Sequence, residues 1–190
     1  MTELKKLILL MCDKYKDRGI ILVFTEYEEN FRKLNSIDID SLKHFFKQNK
    51  QKLNNIIGLD FSNIDLSKFN EDNINLIIDI PVILNNITYV NLNNCCLDKL
   101  SSNRQIFYDL LDNIFGLIRE INLNNNKLGE ISNDCWHHLV SFAVESKVCE
   151  TLFMDYNNLD CMSNNVNKTI NLNKLKDKKI HSINKFMSLS

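Results

Sequence analysis

Residues 121–128 read INLNNNKL, four asparagines set among leucines and isoleucine with no catalytic group in the run. Related phrases recur: LDFSNIDL from Leu59, VNLNNCCL from Val90 and LFMDYNNL from Leu152. Their first apolar residues lie at 59, 90, 121 and 152, so each interval (90−59, 121−90, 152−121) is 31. Other columns keep the same period. Two residues on stand Phe61, Leu92, Leu123 and Met154; seven on, Leu66, Leu97, Leu128 and Leu159; three back, Ile56, Ile87, Ile118 and Cys149. Five on come Ile64, Cys95, Asn126 and Asn157. Self-similarity at a fixed period predicts stacked repeats, each burying its apolar face against the next.

Within each copy the apolar pair alternates with polar neighbours, which predicts a short strand with one buried face. A turn follows, and Asn126 and Asn157 are expected to cap its backbone from inside. The remaining asparagines of NLNNN are expected on the exposed side. Between the strands the pattern becomes helical. SSNRQIFYDLLDNIFGL should bury Ile106, Leu110, Leu111 and Ile114 behind serine caps. SNDCWHHLVSFAVESK should bury Trp136, Leu139, Val140, Ala143 and Val144. NEDNINLIIDIPVILNN is a poorer copy, which Pro81 should end or kink.

IREINLNNNKL (118–128) and CETLFMDYNNL (149–159) resemble the leucine-rich repeat pattern L-x-x-L-x-L-x-x-N/C-x-L, and ITYVNLNNCCL (87–97) resembles its cysteine form. IIGLDFSNIDL (56–66) departs from it by placing Ile64 at the Asn/Cys position. The resemblance, closest to the ribonuclease-inhibitor-like class, implies an α/β solenoid with parallel strands on a concave side and helices on a convex side. It organises the chain as one continuous domain: an N-terminal cap with one degenerate repeat (1–50), four repeats (51–162), and a half repeat with a capping helix (163–190). In the cap, apolar Leu4, Leu7, Ile8, Met11 and Tyr15 predict an amphipathic first helix. GIILVF (19–24) reads as a strand without a repeat partner. Leu34, Ile37 and Ile39 are expected in the later core columns of a worn copy, with SLKHFFKQNKQKL as its helix. At the other end Ile180, Ile183 and Phe186 stand at helical spacing.

Composition narrows the function classes. The 190 residues carry a formal net charge of −1, so no general attraction to nucleic acid or acidic membrane is expected. No apolar run approaches the roughly 18–20 residues of a membrane helix. LILLMC near the start is too short for an export signal and lacks a small-residue cleavage site. The six cysteines, Cys12, Cys95, Cys96, Cys135, Cys149 and Cys161, are therefore expected as thiols in a reducing, cytoplasmic setting. No metal or other cofactor is expected. His137 and His138, in CWHHL, diverge by about 100° on a helix and cannot chelate together; a helix surface is the expected place for both. No Gly-rich phosphate loop or G-x-S-x-G elbow occurs.

With the core columns assigned, the outward columns are Gly58, Tyr89, Glu120 and Thr151; Asp60, Asn91, Asn122 and Phe153; and Ser62, Asn93, Asn124 and Asp155. A turn column holds Asn63, Asn94, Asn125 and Tyr156. Aromatic side chains on a rigid platform are the usual anchors of an interface. The expected protein-binding residues are Tyr89, Asn91, Glu120, Asn122, Asn124, Phe153, Asp155 and Tyr156. The competing expectation is that Phe153 and Tyr156 pack against the C-terminal cap. The resemblance implies a non-enzymatic module, monomeric on its own, that binds or inhibits another protein. It also implies a likeness to small leucine-rich repeat effectors of intracellular bacterial pathogens, which enter a host cell without a cleavable signal. The rival implication is the substrate-recognition part of a ubiquitin-ligase-like enzyme whose catalytic domain lies outside this chain; about 30 residues follow the last full copy, too few for such a domain.

Overall fold

The structure is a computed structural model that describes residues 2–15, 18–159 and 180–181. It is α/β. The chain runs α1 (Thr2–Lys14), β1 (Ile20–Val23), α2 (Glu28–Arg32), α3 (Ser36–Asn49), β2 (Ile56–Asp60), α4 (Glu71–Leu84) and β3 (Tyr89–Asn91). It continues with α5 (Leu97–Leu100), α6 (Arg104–Leu117), β4 (Glu120–Asn122), α7 (Asn133–Glu145), β5 (Thr151–Phe153) and the two-residue β6 (Ile180–His181). The strands form one parallel sheet in chain order. Helices α3, α4, α6 and α7 pack side by side in the same order. The layout is compatible with a solenoid.

Register explains why the period is visible in the sequence. Gly58 pairs with Tyr89, Tyr89 with Glu120 and Glu120 with Thr151. Leu59, Val90, Ile121 and Leu152 pair likewise, so residues 31 apart stand side by side. Each buried column becomes a stack of side chains across parallel strands, and a one-residue slip would turn the whole column outward. Ile56, Leu59, Phe61, Val90, Leu92, Ile121, Leu123, Leu152 and Met154 are buried with the inner faces of the helices.

Each helix of the outer layer starts at a side-chain cap. The amide oxygens of Asn35, Asn70 and Asn103 accept from the N–H groups of Asp38, Asn73 and Ile106, and Ser132 Oγ accepts from Cys135. The cap of α6 is thus Asn103, not the expected serines, and its buried face adds Phe107 and Phe115 while Ile106 is half-buried. Trp136, Leu139, Val140 and Ala143 of α7 are buried as expected; Val144 is half-buried.

Helix α4 does not end at Pro81. It continues one turn to Leu84, which is buried, and closes with Asn85 in the left-handed region (φ 52°), whose N–H donates to Pro81 O at 2.8 Å. The proline forfeits one helical N–H bond, and burial of Leu84 rewards the extra turn.

The N-terminal region departs furthest from expectation. β1 has a repeat partner: Leu22 pairs with Leu59 and Val23 with Asp60, while a register shift after Ile20 sets Ile20 beside Ile56. Phe24 then stacks on Phe61, ring centroids 4.7 Å and planes 6° apart, and Phe31 meets Phe24 edge-on at 5.0 Å. The offset from Leu22 to Leu59 is 59−22 = 37 residues, because the chain makes a short turn and α2 before its helix. A search at 31 misses it. Ile37 and Ile39 lie inside α3, and Ile37 is 80% exposed, so it fills no core column; Leu34 and Ile39 are buried. In α1 Ile8 and Cys12 are buried, and Tyr15 just past its end is exposed; the side chains of Leu4, Leu7 and Met11 lie outside the described residues. Lys5 Nζ ties this helix to α3 through Ser41 Oγ at 2.6 Å.

At the C-terminal end Ile180 is extended: it pairs with Leu152, and His181 pairs with Phe153. The capping helix expected there is not helical at Ile180. Its other residues, Ile183 and Phe186 among them, and Cys161 lie outside the described residues.

Candidate functional site

The helices cover one face of the sheet, and the outward columns of β1–β5 form the other. Their amides hold the backbone together. Asp60 Oδ1 accepts the N–H of Ser62 at 2.8 Å, Asn91 Oδ1 that of Asn93 at 3.0 Å and Asn122 Oδ1 that of Asn124 at 3.0 Å. These are Asx turns, in which a short side chain supplies the acceptor the backbone lacks as it leaves the strand. Asn63, Asn94 and Asn125 all adopt positive φ, between 56° and 63°, the conformation asparagine tolerates best after glycine. They also reach across repeats: Asn94 Nδ2 donates to Asn63 Oδ1 at 3.0 Å and Asn125 Nδ2 to Asn93 Oδ1 at 2.7 Å. Asn125 is exposed, as expected of it, and it is also bonded across the repeat boundary.

Beneath them runs the buried ladder. Asn126 Oδ1 accepts from the N–H groups of Cys95 (2.8 Å) and Leu97 (3.3 Å), and its Nδ2 donates to Leu92 O at 2.7 Å and Leu123 O at 3.0 Å. Asn157 does the same one repeat later, accepting from Asn126 and donating to Leu123 O at 2.8 Å. Cys95 offers only its thiol, which donates to Phe61 O at 3.1 Å. Both asparagines act as the internal caps expected of them.

The last turn breaks two of these rules. Phe153 replaces the Asx residue, so the N–H of Asp155 has no acceptor in its own repeat; Asn124 Oδ1 of the preceding copy accepts it at 2.6 Å. Asn124 is thus half-buried and engaged, not a free surface amide. Tyr156 replaces the left-handed asparagine, keeps φ at 57°, and is 70% exposed. Phe153 is half-buried, in register with His181 of β6.

The other expected residues line the same face. Tyr89 is half-buried, and burial first, then the charge of Asp60, pushes its phenol up; a hydrogen bond with Asn122 pulls the other way. Asn91, Asn122 and Asp155 are half-buried and Glu120 is exposed. Gly58 makes room for Tyr89: a Cβ there would stand 3.0 Å from Tyr89 Cδ1 and 3.1 Å from Ile21 Cγ1. Ile21, Val23 and Ile57, 42%, 52% and 41% exposed, extend this surface toward the N-terminal end. Ile21 and Val23 are not legible from the 31-residue period because β1 stands outside it, although the alternation of β1 is a signal for them; Ile57, next to the buried Ile56 on β2, is exposed beside the register shift between β1 and β2.

The histidine pair splits. His137 is exposed, but His138 is half-buried. It stacks on Tyr108 (3.8 Å), leans on Phe142 (4.7 Å) and contacts Asp112 Oδ1 through Nε2 at 2.6 Å, joining α7 to α6. The surface position expected for His138 is corrected accordingly. Among the described residues Cys12, Cys95, Cys96 and Cys135 are free thiols. Among the described residues no group of three His, Cys, Asp or Glu is placed to hold a metal, and no helix is long and apolar enough to cross a membrane.

Compared with known proteins, the chain matches no protein-family model, no curated protein and no solved structure.

Proposed function

We propose that the chain is a non-enzymatic protein-binding module of the leucine-rich repeat kind, whose open sheet face takes a partner protein. One observation carries this reading. The final turn gives up two asparagines that its sister copies use for backbone structure and puts aromatics in their place. Tyr156 holds a left-handed conformation that disfavours a bulky residue, and most of it stays in water. A local rule broken without a gain in burial, as at Tyr156, marks a place where function outweighs stability. Tyrosine is also a preferred interface anchor. The Cys95 thiol within the buried ladder fits a reducing compartment, since a thiol donates there only while reduced.

The test restores the sister residues. Phe153→Asn and Tyr156→Asn should leave the fold intact, so lost binding reports the surface and not unfolding. Captured from extract with wild type as bait, the partner should bind each variant at least about 2 kcal/mol more weakly. Gln48→Ala, on the exposed side of α3, is the control and should bind like wild type. Equal binding by wild type and the asparagine variants would end the open-face reading.

A further inference from the structure

Resting on that reading of the open face, we infer that its partner contributes an extended segment that presents apolar side chains and lysine or arginine together on one face. Two observations meet here. The first is an apolar shelf at the N-terminal half of the face. The side chains of Ile21 and Tyr89 both stand within van der Waals reach of a Cβ at Gly58, which a glycine leaves open. The side chain of Ile57 lies over Gly19 in the same manner. Val23 continues the row beside Asp60. Strands about 4.8 Å apart make this a strip about 10 Å wide from Ile21 to Tyr89. The same surface is more than a third exposed at Ile21, Val23 and Ile57.

The second observation is the sign of the charge around the strip. Across residues 20–23, 56–62, 87–93, 118–124 and 149–155 the charged groups are Asp60, Arg119, Glu120, Glu150 and Asp155. Arg119 is matched by Glu150, Nη2 to Oε1 at 2.7 Å. Asp60, Glu120 and Asp155 have no cationic partner among the described residues. Among the described residues the face is therefore apolar and anionic. Phosphate backbones and acidic lipid headgroups are repelled by it; a cation placed over the Tyr89 ring is held by the ring face and by Asp60 and Glu120 on either side. In an extended segment every second side chain faces the sheet, so one whose facing positions (i, i+2, i+4) include both apolar residues and Lys or Arg sets its apolar groups on the shelf and its cations against the carboxylates.

The test is a selection of displayed random 12-residue peptides on the folded wild-type protein. Recovered sequences are re-assayed, as synthetic peptides, on two variants. Asp60→Asn/Glu120→Gln/Asp155→Asn removes the charge; asparagine at position 60 keeps the Asx acceptor that Asn91 and Asn122 supply in their own copies. Ile21→Asp/Val23→Asp destroys the shelf at exposed positions, with circular dichroism to confirm the fold. The expected winners are rich in Lys or Arg with aliphatic or aromatic residues. They should bind the neutralised variant about tenfold more weakly at low salt, lose that difference near 1 M salt, and fail on the shelf variant. Winners of neutral or acidic composition, winners indifferent to neutralisation, or no enrichment at all would overturn the proposed chemistry. If such winners still fail on the shelf variant, the open face remains the binding surface and only the partner chemistry falls. Winners that bind the shelf variant and Tyr156→Asn as well as wild type would remove the open-face reading itself.

Discussion

The oxygen of the Asn157 carboxamide accepts the backbone N–H of Asn126 at 2.7 Å, one repeat earlier in the chain. Asn126 in turn serves the N–H of Cys95. Each ladder asparagine thus satisfies the turn of the copy before its own, and the chain of support runs from the C-terminal end toward the N-terminal end.

Removing Asn126 orphans the buried N–H groups of Cys95 and Leu97 and the carbonyl of Leu92, whereas Leu123 O keeps its bond from Asn157 and Asn124 O its bond from the Asn94 N–H. We expect Asn126→Ala to lower stability by about 2–4 kcal/mol in urea unfolding. Asn126→Cys should fall between, because Cys95 shows that a thiol in this column still donates to the preceding carbonyl. A cysteine variant no better than alanine would show that the acceptor half of the amide carries the effect.

Tyr156 makes the opposite prediction. Its left-handed backbone suits asparagine or glycine, and its side chain is mostly in water. Tyr156→Asn should raise stability by about 0.5–1 kcal/mol. A loss of stability of that size would mean that the ring packs on something that matters for folding.

Gly129 admits no side chain. A Cβ there would stand 2.1 Å from Asn158 O, a backbone atom of the next repeat. Gly129→Ala should therefore cost about 3 kcal/mol, visible as a lowered midpoint of thermal unfolding. A neutral result would require the last turn to move freely from the rest.

His138 joins two helices through a ring stack and the Asp112 contact. His138→Phe preserves the stacking surface and His138→Ala does not. The alanine variant should lose about 1–2 kcal/mol and the phenylalanine variant less. The reverse order would place the weight on the Asp112 contact.

Thiol labelling of the folded protein should reach Cys96 before Cys95 and Cys12. Burial holds the Cys95 thiol far above its usual range and pushes Cys12 up to about 11. Cys96 is raised as well, by burial first and then by the Asp65 carboxylate, which also accepts its S–H. The thiolate is the reactive form. Lowering the Cys96 pKa therefore increases its reactive fraction at any pH below that pKa. Asp65→Asn should speed Cys96 labelling several-fold near pH 8, and an unchanged rate would leave burial as the whole cause.

The amino-acid sequence by itself determined the columns. Leucine, isoleucine, phenylalanine and cysteine return every 31 residues because a parallel stack buries each column against its neighbour, and burial is a property a residue type carries with it. It also marked Asn126 and Asn157, since an amide in a buried column needs partners on both sides. The place of β1 was decided only by the tertiary structure: the 37-residue offset from Leu22 to Leu59 hides it, and the stack of Phe24 on Phe61 joins residues far apart in the chain. The same holds for Asn124, which looks like its exposed neighbours until Phe153 leaves the Asp155 N–H without an acceptor. Nor does composition announce the backbone of Tyr156. That turn is held left-handed by bonds across the repeat boundary, such as the N–H of Asn125 to Asp155 O. Apolar burial is summed along a pattern that a linear reading can see, whereas a hydrogen bond or a sign of φ depends on which strand stands alongside, and only the folded stack supplies that neighbour.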